Sequence, residues 1–169
     1  MAMAQILLLG LMLFVIAPAS AYQLLGGKWS TLQLNYYIDG ATYQSEIGSA
    51  ANSWNYYTGN KVQLSRVYGQ YENIRLLTAN YGATSWYATA WNSPSFQSIP
   101  YTYSQIRINS QNLSWLSYSD RQEVVAHELG HSLGLGHTNL TGCILMKAGG
   151  FCAVYPRADD INGIYALYP

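Results

Sequence analysis

His127-Glu128-Leu129-Gly130-His131-Ser132-Leu133-Gly134-Leu135-Gly136-His137 gathers every histidine of the 169-residue chain into one segment. On an α-helix, residues i and i+4 stand on one face, a turn apart. His127 and His131 can therefore aim both imidazoles at one point. Gly134 can adopt a positive φ, stop the helix and turn the chain back. That bend would bring His137 to a third corner. Zinc prefers a tetrahedral set, and three protein ligands with an open fourth position mark a catalytic rather than a structural site. Glu128 directly follows the first ligand and is placed to act as general base on a water there. The plain alternative is a helix whose histidines are satisfied by core or surface contacts.

Upstream, Ser119-Asp120-Arg121-Gln122 fits a capping box that starts this helix near Ser119. Asp120 and Glu123 in the first turn suit the helix dipole. Downstream, Ile144-Leu145-Met146 follows closely. The stretch 127–137 and Met146 resemble the metzincin zinc peptidases, whose pattern is H-E-x-x-H-x-x-G-x-x-H with a later methionine turn. The resemblance implies that Met146 forms an apolar floor beneath one catalytic zinc ion; read alone, Met146 is an ordinary core filler. Thr138 after the third histidine is closest to the matrixin branch. In astacins and serralysins a tyrosine lies two residues past the methionine. Ala148 stands there in this chain, so an oxyanion would rely on zinc and backbone donors.

Bulk composition narrows the partners. Charged residues make up 9% of the chain and the formal net charge is zero. No basic field exists for nucleic acid. Sixteen tyrosines and five tryptophans suit a β-rich core and an aromatic surface without naming a ligand. Residues 1–21 read as a secretory signal peptide. Ile6 to Ala17 is a short apolar run and Ala19-Ser20-Ala21 is a small-x-small cleavage site, although no Lys or Arg precedes the run. An uncleaved anchor is the alternative, but the run is short for a span of about 20 residues and Pro18 interrupts it. The expectation is a secreted, extracellular, monomeric protein with no stable membrane association. Residues 22–169 form its single domain.

The pattern predicts an α+β fold. Strands are expected at 32–39, 62–67, 74–78, 84–91 and 101–109, in one mixed, mostly five-stranded sheet. A backing helix is expected at 42–57, capped by Thr42 and stopped at Gly59-Asn60. A C-terminal helix follows over 159–168. The resemblance to matrixins extends over residues 26–169. It implies that protein or peptide substrates bind as an extended strand along Tyr87-Ala88-Thr89-Ala90-Trp91, with Tyr87, Thr89 and Tyr155 near the substrate. The plain reading of the first two is an aromatic sheet edge, and of Tyr155, packing. Matrixins commonly carry a structural-zinc histidine where Thr89 stands. They often have calcium-binding carboxylates where Ile108-Asn109-Ser110-Gln111-Asn112 has amides and a hydroxyl. One zinc ion and no dedicated calcium site are therefore expected.

Cys143 and Cys152 flank Met146. An even count in a secreted chain suggests a bridge across this loop; free thiols or zinc ligation are the alternatives. Together these readings point to a secreted zinc endopeptidase. The rivals are a zinc-holding binding or adhesion module that does not cleave, and a narrow processing enzyme.

Overall fold

The computed structural model describes residues 21–40, 42–69, 71–95 and 100–169. The expected signal peptide, apart from Ala21, lies outside the described residues. The elements run β1 (Gln33–Asp39), α1 (Gln44–Tyr57), β2 (Gln63–Val67), β3 (Ile74–Ala79), β4 (Ala88–Ser93), β5 (Tyr103–Asn109), α2 (Ser110–Leu113), α3 (Tyr118–Ser132) and α4 (Ala158–Leu167). The strands form one mixed sheet in the order β2-β1-β3-β5-β4. β1 pairs in parallel with β2 and β3, and β3 with β5. β4 alone runs antiparallel, against β5, and forms the outer edge.

Period-two patterning makes the sheet one-sided. Leu34, Tyr36 and Ile38 of β1 are buried while Gln33 and Asn35 are exposed. Ile74, Leu76, Ile106 and Ile108 extend the same core. α1 contributes Ile47, Ala50, Ala51 and Trp54 at helical spacing, all fully buried. It packs on α3 and β2, while α3 also packs against β4 and β5. Each such large apolar side chain contributes about 1.5–3 kcal/mol on burial. The indole N–H groups in this core are satisfied: Trp54 Nε1 donates to the Ala126 carbonyl at 2.8 Å, and Trp29 Nε1 to that of Ser132 at 2.7 Å. Both acceptors belong to α3, so the core locks the helix that carries the first two histidines.

Several boundaries differ from expectation. α1 begins at Gln44 after Tyr43, which has φ 61° and makes no side-chain cap; Thr42 does not cap it. Its end is as expected, with Gly59 and Asn60 both at φ 62°. α3 is capped by Ser117, whose Oγ accepts from the Asp120 N–H at 3.2 Å, so Ser119 lies inside the first turn. The fourth strand starts at Ala88 rather than Thr84. The segment before it is held as a loop by side-chain amides: Asn109 Nδ2 donates to Gly82 O and Thr84 Oγ1, and Asn112 Nδ2 to the carbonyls of Thr84 and Trp86. The 110–113 stretch is the short helix α2.

Candidate metal centre

The three histidines converge. The Nε2 atom of His137 lies 3.1 Å from that of His127 and 3.2 Å from that of His131. A tetrahedral zinc with bonds of about 2.0–2.1 Å has ligand–ligand edges of roughly 3.3–3.4 Å. The two measured edges are close to that figure, so the donor set fits the ion. It is the one group of three or more potential ligands among the described residues.

Second contacts orient the rings. His127 Nδ1 lies 2.7 Å from the Leu145 carbonyl and His131 Nδ1 lies 2.7 Å from that of Leu135. A carbonyl only accepts, so each Nδ1 carries the proton and each Nε2 keeps its lone pair for a metal. Burial lowers the His127 pKa, and takes that of His131 down to about 4 with help from the neighbouring imidazoles. Both shifts favour the neutral imidazole, the form that a metal ion requires.

Gly134 makes the turn. Its φ is +102°, and a Cβ there would stand 2.7 Å from Leu167 Cδ2 and 2.8 Å from the Gly27 carbonyl oxygen. The chain beyond it is strapped by a segment near the start of the described residues. Leu25 N–H donates to Gly134 O at 2.9 Å, Gly136 N–H donates to Gln23 O at 2.7 Å, and Leu24 and Leu135 form an antiparallel bridge between them. His137 is thus presented by a two-stranded tie.

Met146 is buried and its sulfur packs against the backbone of Gly130, which lies between the two helical histidines. A side chain at 130 would occupy the space that the sulfur fills. The Met146 loop is pinned by Asp160 at the start of α4. Its Oδ1 accepts from the Met146 N–H at 3.0 Å, while Oδ2 accepts from Leu145 at 3.2 Å and Arg157 at 2.7 Å. Because Leu145 O also holds His127, Asp160 connects α4 to the histidine cluster.

Glu128 is 8% exposed. Burial pushes its carboxyl up to about 7, against a lowering contribution from the Ala90 backbone. It borders two cavities. One, of about 150 Å³, also meets His127, Tyr87 and Ala88. The other, of about 530 Å³, meets His131, His137, Ala88, Thr89 and Ala90. The histidine cluster therefore lies in a cleft running beneath edge strand β4. Tyr87 packs on Phe151 with ring centroids 5.4 Å apart. Tyr155 is not among the residues lining either cavity. It stacks flat on Tyr57 at 4.3 Å and lies under the Arg157 guanidinium.

The expected bridge between Cys143 and Cys152 is not formed. Both are free, exposed thiols. Cys143 Sγ contacts the carbonyl oxygen of Cys152. Three contributors escaped sequence reasoning: Asp160, the strap at 23–25, and the small cavity's buried Glu123. Asp160 had a signal in its helix N-terminal position; the strap had none, because backbone pairing leaves no pattern in side chains.

Comparison with known proteins agrees with this geometry. The model of the matrixin family matches residues 28–169. A 51-residue stretch is 45% identical to metalloendoproteinase 5-MMP of Arabidopsis thaliana, covering 29% of this chain and 14% of that protein.

Proposed function

The chain belongs to the matrixin family, and from that premise we propose that it is a secreted zinc-dependent endopeptidase with Glu128 as its general base. The observation that carries this reading is the placing of a buried carboxylate directly beside three imidazoles whose Nε2 atoms approach within 3.1–3.2 Å. Zinc held by those nitrogens supplies a Lewis acid for the scissile carbonyl and makes water easier to deprotonate. Glu128 takes the proton of the attacking water and delivers it to the leaving amine. Burial raises this carboxyl and a bound dication would lower it, so the two oppose each other in setting a group that must both take and return a proton. Ala88, Thr89 and Ala90 on the outer strand offer an edge for an extended peptide, whose backbone would pair with β4 across the cleft. Met146 keeps the turn between His127 and His131 in place.

Secretion rests on residues 1–21, read as a signal peptide. Among the described residues no helix is long and apolar enough to cross a membrane. N-terminal sequencing of protein recovered from the medium of expressing cells should begin at Tyr22.

Activity is tested with the purified, zinc-loaded chain on a denatured protein substrate, beside Glu128→Gln. Wild type should cleave, stop with a chelator and resume with zinc. Glu128→Gln should bind zinc yet lose at least about a hundredfold in rate. Zinc binding with equal, negligible cleavage by both proteins would instead favour a metal-holding module.

A further inference from the structure

The small cavity beside His127 has a charged wall. Glu123 lines it one turn before His127, only 6% exposed. Its Oε1 accepts from the Cys152 N–H at 2.8 Å, and no protein donor engages its second oxygen among the described residues. Trp86, Tyr87, Val124 and Leu145 supply the apolar part of the lining. At about 150 Å³ the space far exceeds the 10–15 Å³ or so needed by one water.

We propose that this cavity receives a cationic side chain, arginine above lysine, from a substrate residue flanking the cleaved bond, and that Glu123 is the residue that reads it. The inference rests on the endopeptidase reading above. Long basic side chains match the lining because they lay an apolar stem along apolar walls and bring charge only at the tip. The guanidinium fork favours arginine, since it reaches a carboxylate with planar, paired donors. An aliphatic side chain would instead cover the free oxygen of Glu123 without offering it a donor, and an unpaired buried acceptor is costly. The other charged groups at this cavity are Glu128, committed to the proton transfer, and Lys147. Lys147 is exposed and makes no ion pair with Glu123 among the described residues. Solvent screens an exposed ammonium more strongly than a charge within the cavity wall.

The test uses the zinc-loaded chain and peptide pairs that differ only by arginine or leucine at each position flanking the cleaved bond. At one position wild type should favour arginine at least about tenfold in kcat/KM. Glu123→Gln keeps an acceptor for the Cys152 N–H but removes the charge, and should bring the ratio close to one. Glu123→Leu should reverse it. Equal use of the two peptides by wild type, or an arginine preference unchanged in Glu123→Gln, would overturn the proposal while leaving the endopeptidase reading intact. If wild type cleaves neither these peptides nor the denatured protein substrate, that reading fails and binding decides the cavity. Fluorescence anisotropy with zinc-loaded Glu128→Gln should then give about tenfold tighter binding of the arginine peptide, abolished by adding Glu123→Gln. Equal affinities would overturn it.

Discussion

Two residues at the centre work against their own chemistry. Glu128 is an acid placed where water hardly reaches, and its raised pKa is the thermodynamic trace of that placement. For a carboxyl whose folded pKa lies above its unfolded value, the folded state binds the proton more tightly. Its stabilising contribution is complete below about 4.5 and is lost as pH rises through about 7. Metal-free Glu128→Gln lacks this term. Its stability relative to metal-free wild type should therefore grow by about 2–3 kcal/mol from pH 4.5 to pH 7.5, read by urea unfolding at both pH values. A difference independent of pH would mean that the carboxyl is not held above its usual range. Gly134 is the second case. Alanine there meets both an unfavourable φ and two atoms closer than 3 Å, one of them backbone. Gly134→Ala should cost at least about 1–2 kcal/mol from the backbone conformation alone. It should also weaken zinc binding, because the bend aims His137. Thermal melting and zinc titration of the one variant check both effects.

Elements hold these residues through a few long-range ties. α3 is clamped by Trp54 and Trp29, and α1 is joined to it by the Arg121–Glu46 ion pair at 3.2 Å. The Met146 loop is held by Asp160 and by the Thr138 N–H, which donates to Met146 O at 2.8 Å. Asp160→Ala would orphan the N–H groups of Leu145, Met146 and Arg157. The expected loss is about 2–4 kcal/mol in urea unfolding. Since Leu145 O orients His127, zinc affinity should fall roughly tenfold or more as well. Lowered stability with unchanged affinity would mean that the carbonyl is held by other contacts. The sequence made the helices and the gathering of the three histidines legible because their information is local: the i, i+4 histidines, the glycine bend, and the apolar period of α1. It was less informative where two local signals compete. Ser119 reads as the cap, yet Ser117, two residues earlier, takes the role by reaching the Asp120 N–H. Thr84 to Tyr87 reads as strand, yet Asn109 and Asn112 claim that backbone with side-chain amides. The position of Tyr155 was hidden for a different reason: its partners, Tyr57 and Arg157, are set by how the C-terminal loop meets the end of α1.

At the scale of the molecule, four separate pieces of chain converge on the metal centre: α3, the turn after it, the Met146 loop tied to α4, and the strap at Gln23–Leu25. A ligand that binds the folded state alone stabilises it by RT ln(1 + [L]/Kd), so zinc should raise the melting temperature and a chelator should lower it. At a hundred times Kd the gain is about 2.7 kcal/mol, and each tenfold loss of affinity removes about 1.4 kcal/mol of it. This linkage isolates the strap. Leu25 is 46% exposed, and its side chain has no place in the core. Its N–H, however, donates to Gly134 O, next to the bend that aims His137. Beside Leu25→Ala, which keeps the N–H but loses the side chain that lines the cleft near His131 and His137, Leu25→Pro removes that donor as well. The metal-free proline variant should melt close to wild type, because the sheet and the two long helices do not use the strap. With zinc, the rise in melting temperature should be clearly smaller than that of Leu25→Ala at the same free zinc. Equal rises would mean that the bend holds His137 unaided. A large drop in the metal-free form would mean that the strap belongs to the core of the fold rather than to its metal centre.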